Sequence, residues 1–576
     1  MLIVAAYLLL LAGVGVYFSR RQTSLDGFLV AGKRMTWLPV GMSLMAALNS
    51  GIDYLTQPSA TIRFGLVLVV GTLSWLALYP WMSRIVFPFY HRLNFYSVYE
   101  YLEARFDVRV RLLAVLIFIV WRLGWMATAL YVPCLAISAA TGGAVNLTAL
   151  IIGLGTLVTL YTVLGGIQAV IWNDVMQFCV MFGGLAATVI IVAAHVPGGT
   201  AEIWSAAAAA GKTGLWVPIG GLRELLINPV TVPSLLSALI VGRMAQYTSD
   251  QVMVQRLQTT RTVKDARQAF IVNAAGDALW MIGLSFVGLA LFAYFRHDPA
   301  PPGLESDRML PYFMARAFPT GAIGLVIAAI LAASLSSIDS AIHSCSSVVV
   351  VDIYNRLIRH REVSQTAWLQ PRHYVPAAPA SCSGGASAPP APAVSESRSG
   401  GALAPPLATS RSGGASAPPA PAVAESRSGG ALAPPPVMSS SDLESQQIRV
   451  SRLITLAVGA AGTTLACNVA GIGSLLEIAN KLINSFTGPL FGMFLLAMFS
   501  ARAGSLAALA GGAAGAVASY YVAYHSGLSF LLPSTFGLVT TLAVGVLVTF
   551  AVPRSPLEGE ALTWWVVMRR PLHVDT

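Results

Sequence analysis

In the stretch Leu331–Ser347 (LAASLSSIDSAIHSCSS), residues Ser336, Asp339, Ser340, His343, Ser344 and Ser347 recur at i, i+3, i+4, i+7, i+8 and i+11. In a helix this spacing gathers four hydroxyls, a carboxylate and an imidazole on one face, while Leu335, Ile338, Ile342, Val348 and Val349 cover the others. The surrounding run, Gly321 to Ile353, is long and apolar enough to span a bilayer. A carboxylate at that depth costs several kcal/mol, so it must face a cavity, an ion or a partner. Small Ser and Ala residues alone would suit close helix packing. Close packing has no use for the charge of Asp339, and a path for a cation accounts for it.

Other apolar segments carry similar interruptions. GMSLMAALNSGIDYLTQPSATIRFG is broken near its middle by Asn49, Ser50, Gly51 and Asp53, with Pro58 beyond. Such a helix is a candidate for local unwinding, which frees carbonyl oxygens to bind a cation. A packed Gly/Ser kink explains the glycine but not Asp53. Asp174 and Gln177 follow YTVLGGIQAVIW, and Arg243 and Gln246 precede SDQVMVQR. Trp121, Arg122 and Trp125 lie in a fourth segment, and Glu477, Asn480 and Lys481 in an eleventh. Arg122 and Glu477 can snorkel to an interface. Arg243 and Lys481 sit deeper and, with Asp53, Asp174 and Asp339, imply paired or ligand-bound charges. His343 reads as a neutral, hydrogen-bonded helix residue. HExxH, GxSxG, Walker and Rossmann patterns do not occur in a fitting context, and no nucleophile–base or metal cluster emerges, so the chain does not read as an enzyme.

The elements that hold these residues follow from composition. Of 576 residues 56% are hydrophobic and 10% charged, and the mean hydropathy is +0.69. A soluble chain of this length could not hide so much apolar surface, so the sequence describes a polytopic membrane protein. The net charge of +10 sits in short clusters between apolar runs, at Arg20–Arg21, Lys33–Arg34, Arg105–Arg111, Arg256–Arg267 and Arg356–Arg361. That pattern reports topology rather than nucleic-acid binding. Cys134, Cys179, Cys345, Cys382 and Cys467 are scattered without paired spacing, against a disulfide or zinc framework. The start, MLIVAAYLLLLAGVGVYFSRR, lacks a basic n-region and a clear cleavage site, and reads as a retained helix.

Spanning segments are expected at 1–19, 36–57, 65–90, 110–140, 146–164, 168–195, 232–252, 268–296, 318–353, 450–468, 473–500, 503–525 and 529–552, about thirteen. The basic loops place the N-terminus outside and the C-terminus in the cytoplasm. Short helices are expected on the outer face within 197–229, an amphipathic stretch within 296–320, and an interfacial helix inside over 95–111. Residues 361–447 are rich in Ala, Pro, Gly and Ser and contain a tandem duplication, SGGASAPPAPAVSESRSGGALAPP from Ser383 and SGGASAPPAPAVAESRSGGALAPP from Ser412. This composition cannot bury enough apolar area to order itself, and reads as a disordered cytoplasmic spacer.

Taken in order, SLMAALNS from Ser43, QPSATIRFG from Gln57, YSVYEYLEARF from Tyr96, LYVPCLAISAATG from Leu130, YTVLGGIQAVIWNDVMQ from Tyr161, SDQVMVQR from Ser249, AASLSSIDSAIHS from Ala332 and TGPLFGMFLLAMF from Thr487 resemble the sodium/solute symporter family. That family includes sodium-coupled sugar, monocarboxylate, iodide, vitamin, proline and sialic-acid carriers. The resemblance runs from about residue 1 to 552, excluding the duplicated loop. PSATIRFG and YEYLEARF lean toward the monocarboxylate, vitamin and iodide branch.

The resemblance implies an all-α, LeuT-like fold of two inverted five-helix repeats. An extra N-terminal helix and basic loop would occupy 1–35, the first repeat with its outer loop 36–230, and the second repeat 231–360 and 448–502. The spacer 361–447 would interrupt that repeat, and two further helices and a short tail would fill 503–576. It implies a sodium site from the carbonyls of Ala46, Asn49 and Ala333 and the hydroxyls of Ser336 and Ser337. Five oxygen dipoles can replace the water of a hard monovalent cation without burying net charge. A second cation site would use Asp174, Asp339 and Ser340 beside Ser336. Family members often have Ser or Thr where Asp339 stands, so this site either strengthens cation binding or carries a proton. Asp174 could instead cap a helix end.

Positions that hold sugar in some members match Asp53, Arg243 and Lys481, with Ser50 beside them and Trp121 and Trp125 as walls. Two basic residues of three suit an anion, unless Asp53 pairs with Arg243 or Lys481 and leaves a site for a neutral solute. The expected function is symport of a small organic solute, such as a carboxylate, driven by Na+ as coupling ion, with no other cofactor, in the cell membrane. The alternatives are a sodium- or proton-coupled carrier of a neutral polar solute such as a sugar, a channel, and a transporter-like solute sensor.

Overall fold

Helices that place small and polar residues at membrane depth must cover them with one another, and this requirement orders the bundle. The computed structural model describes residues 2–19, 25–93, 95–140, 145–228, 230–358, 440–468, 475–552 and 562–569. The described residues are all-helical apart from turns and an isolated bridge between Met35 and Thr260. The elements that build the site are α1 (Trp37–Leu48), α2 (Gly51–Phe64), α3 (Val108–Ala140), α4 (Leu147–His195), α5 (Val232–Ser249), α6 (Gln251–Gln258), α7 (Val263–His297) and α8 (Thr320–Val348).

Their ends follow ordinary capping rules. Asn146 accepts from the Ala149 amide to start α4, Thr231 from Ser234 to start α5, and Thr262 from Asp265 to start α7. Helix α8 lies at the centre, packed on α1, α2, α3 and α4. In the span it begins, 72% of the most apolar window is buried, against 22% for the peripheral helix Pro533–Ala551. Apolar side chains of α3, α4, α7 and α8, among them Trp280, Leu284, Val326 and Leu335, form one core; a second collects Trp75, Tyr99, Phe118 and Phe270.

By length and composition, seven described helices can cross a membrane, and three shorter apolar ones stand beside them, at Leu2–Phe18, Trp37–Leu48 and Ser485–Phe499. The other expected segments run on from a neighbour without a loop, are interrupted by a break, or include residues outside those described. Residues 146–164 and 168–195 follow one another without a loop in α4, whose 49 residues would reach about 70 Å if straight, twice a bilayer core. Gly166, at φ 60° and ψ −171°, divides it. A side chain there would be strained, and its Cβ would lie 2.9 Å from Phe28.

The segment 36–57 is broken as expected: α1 stops at Leu48, Asn49 and Ser50 are extended, and α2 begins at Gly51. A second break, at Asp250, separates α5 from α6. Short helices occur at Gly199–Ala209, Leu222–Ile227 and Ser306–Ala317 in the expected loops. The helix expected to lie at the interface near residue 100, Val98–Arg105, is instead buried among Phe89, Phe118 and Phe494. Its Arg105 donates to the carbonyls of Ala497 (3.2 Å) and Ser500 (2.6 Å), closing the end of another helix.

Basic clusters read as topology signals thus hold structural charges too. Arg105, Arg111 and Arg256 are all buried. The duplicated stretch lies outside the described residues, and the helix after it starts at Ser440, ahead of the expected boundary.

Candidate functional site

The break between α1 and α2 leaves the last carbonyls of α1 without amide partners four residues on. Ser50 caps the new helix: its hydroxyl accepts from the Ile52 amide (3.2 Å), and the Asp53 carboxylate accepts from the Ser50 amide (2.6 Å). Helix α8 supplies hydroxyls to the freed carbonyls. Ser336 donates to Ala46 O at 2.8 Å and to Ala333 O at 2.9 Å. Ser337 donates to Asn49 O at 2.9 Å and reaches Ala333 O at 3.4 Å.

All five residues are buried. Gly51 permits the approach: a Cβ there would stand 2.2 Å from Ser334 Oγ and 2.7 Å from Ile330 O. The two hydroxyls and the three carbonyls they meet carry no net charge, and uncharged oxygens of this kind can replace the water of a hard monovalent cation.

One turn along the polar face of α8 lies a charged cluster. Asp174 Oδ2 accepts from Ser43 Oγ (2.5 Å) and from Arg256 Nη2 (3.0 Å), and the same guanidinium donates to Ser340 and, through Nε, to Ser43 at 2.8 Å. Asp174 is therefore bound to an arginine rather than free beside Asp339, and it does not merely cap a helix. Asp339 accepts from Tyr161 Oη (3.1 Å) and Ser340 Oγ (3.3 Å) and lacks a basic partner among the described ion pairs. Ser340 also donates to Ser336 O at 2.5 Å, which ties this cluster to the residue that meets the Ala46 carbonyl.

A cavity of ≈ 190 Å³ opens beside the break, lined by Asp53, Thr56, Gln57 and Arg243 among apolar side chains that include Phe64, Leu239 and Met281. Asp53 and Arg243 share this cavity but do not pair. The Asp53 carboxylate is turned to its own helix start. Arg243 donates from Nη2 to Asp277 Oδ2 (2.7 Å) and from Nη1 to Ser74 Oγ (2.5 Å), with its guanidinium 4.2 Å over the Trp75 ring. Asp277 also accepts from Trp75 Nε1 (2.7 Å) and from Asn49 Nδ2 (3.2 Å).

Two expected solute residues, Ser50 and Trp121, are engaged elsewhere. Ser50 is consumed by the helix cap. Trp121 does not line the cavity; it is buried under Arg122, 4.3 Å from its ring, and Arg122 pairs with Asp250 instead of snorkelling. The side chain of Lys481 lies outside the described residues, as does that of Glu477. The tryptophan that meets Arg243 is Trp75. Sequence reading missed Asp277, a lone carboxylate inside the apolar run 268–296, although its depth alone was a signal. It also counted Arg256 as a loop charge.

The sequence profile of the Sodium:solute symporter family matches residues 28–372. The chain belongs to that family. The symporter is 35% identical over 353 residues to the sodium/sialic acid symporter SiaT of Proteus mirabilis (strain HI4320), covering 61% of this chain and 70% of the relative. It is 27% identical over 546 residues to the sodium/sialic acid symporter NanT of Aliivibrio fischeri (94% and 91% covered), and 29% identical over 374 residues to human sodium-coupled monocarboxylate transporter 2 (63% and 59%). The solved substrate-bound, outward-open structure of a Na+-coupled sialic acid symporter superposes with a TM-score of 0.75 at 27% identity, over 96% of this chain and 98% of that one. The protein is a multi-pass membrane symporter that couples a solute to sodium.

Proposed function

We propose that the symporter carries a small carboxylate solute into the cell with sodium by alternating access, through two inverted five-helix repeats. The coupling sodium would bind the carbonyls of Ala46, Asn49 and Ala333 and the hydroxyls of Ser336 and Ser337. The observation that carries this reading is the meeting of Ser336 and Ser337 with the freed carbonyls at the helix break. A second cation, Na+ or H+, would sit at Asp339 and Ser340 beside Asp174, since Arg256 already balances one of the two carboxylates. The solute would occupy the cavity that holds Asp53 and Arg243, with the N-terminus outside and the C-terminus in the cytoplasm of the cell membrane.

The relatives named for sialic acid and monocarboxylates support a carboxylate. One observation favours a second reading, a neutral polar solute: the charge of Arg243 is already met by Asp277. Proteoliposomes under an inward Na+ gradient, offered labelled N-acetylneuraminate, lactate or glucose, separate the two. Concentrative, saturable uptake of an acid that stops when choline replaces Na+ is expected. Accumulation of glucose alone moves the substrate to the second reading, flux indifferent to sodium removes the coupling site, and no flux of any solute points to a sensor.

A further inference from the structure

Between the ion cradle and the solute cavity stands one carboxylate that neither site requires. Asp277 is 1% exposed and meets side chains from three separate elements. Its Oδ1 accepts from the side chain of Asn49, whose backbone carbonyl receives Ser337 in the cradle. Its Oδ2 accepts from Trp75 and from Arg243, and Arg243 lines the cavity. A buried carboxylate held by one guanidinium and two neutral donors is well satisfied only while all three keep their places, because an unpaired charge in this setting is costly. An ion that fixes the Asn49 carbonyl therefore also fixes the amide on Asp277, and through it the cavity face of Arg243.

We propose that Asp277 is the positioning residue that couples sodium occupancy to the shape and charge of the solute cavity. The inference rests on the sodium reading of the cradle. Coupling is reciprocal, so a disturbance on the cavity side must be felt as a change in sodium affinity, even at residues that touch no cradle oxygen.

The experiment is a sodium titration of thermal stability on the purified full chain, with choline chloride holding ionic strength constant, since an ion that binds only the folded protein raises its Tm. The wild type gains Tm with sodium. Asp277→Asn keeps the shape but not the charge, and moves the sodium midpoint up about fivefold or more. Trp75→Phe and Arg243→Gln move it in the same direction, although neither side chain reaches the cradle; they stand in if Asp277→Asn does not fold. Asn49→Ala combined with Asp277→Asn falls short of the product of the single effects.

A residue that only stabilises the fold would lower Tm equally in sodium and choline and leave the midpoint in place, and that result overturns the inference while leaving the sodium site standing. Additive effects of Asn49→Ala and Asp277→Asn overturn it as well. A wild type that responds to choline as it does to sodium removes the sodium reading, and the inference with it.

Discussion

The hydroxyl of Ser336 lies 2.8 Å from the carbonyl oxygen of Ala46, across 290 positions of sequence. That contact joins an interrupted helix to a hydroxyl-bearing one, and both residues are excluded from solvent. Removing either α8 hydroxyl takes one oxygen from the proposed cradle and one modest hydrogen bond from the fold. Ser336→Ala or Ser337→Ala should raise the sodium concentration for half-maximal uptake about tenfold, equivalent to about 1.4 kcal/mol, with expression unchanged and only a small fall of Tm in choline. Uptake that keeps its wild-type sodium curve in both variants would remove these hydroxyls from the ion site.

Arg243→Ala leaves the buried Asp277 without its cation. Breaking such a pair from one side costs about 3–5 kcal/mol, so Tm should fall already in choline, and the weakened sodium response should deepen the loss in sodium. The double variant Arg243→Ala/Asp277→Ala should recover most of the loss, and if it is no better than the single variant the pair is not what holds this region. Solute KM should rise in Arg243→Ala more than the sodium requirement does.

Gly51→Ala pushes a methyl group to within 2.2 Å of Ser334 Oγ and 2.7 Å of a backbone carbonyl. The strain should cost about 1–3 kcal/mol and weaken sodium binding by separating α2 from α8. Gly183→Ala, in α4, meets nothing within 4 Å and should be neutral or stabilising by up to about 1 kcal/mol. Equal Tm and sodium response in the two variants would argue against a tight α2–α8 contact.

Outside the spans, burial pushes the Glu100 carboxyl up to about 7, against the opposing pull of Arg111. A carboxyl raised on folding contributes stability that is complete below its unfolded value, about 4.3, and lost as pH climbs through about 7. Wild-type Tm should therefore decline between pH 5 and pH 8 more than that of Glu100→Gln, with the two closest at pH 5. Parallel profiles would show that Glu100 does not titrate in this window.

What the sequence made legible was what repeats along one element. The hydroxyls of α8 stand at helical spacing, and the Asn49–Ser50–Gly51 interruption shows in a run of otherwise apolar residues, so both partners of the Ser336–Ala46 and Ser337–Asn49 contacts could be named before they were seen to meet. Partnerships were not legible, because nothing local chooses among several buried charges. Arg243 could have met Asp53 as readily as Asp277; helix capping had already engaged Asp53. Arg256 reads as an interfacial charge at the end of SDQVMVQR, yet the break at Asp250 turns α6 so that its guanidinium reaches Asp174. Trp121 carries a cavity-wall signature, but the ion pair of Arg122 with Asp250 seals it in the core.

The cluster that Asp277 forms with Asn49, Trp75 and Arg243 has a consequence for how this sequence can drift. A substitution at Asn49, Trp75, Arg243 or Asp277 taken alone strands a donor or a charge where water cannot repair it. Divergent relatives should therefore differ at several of these positions together, and a chimaera that inherits them from two parents should lose its grip on sodium even when every helix in it is native to one parent or the other.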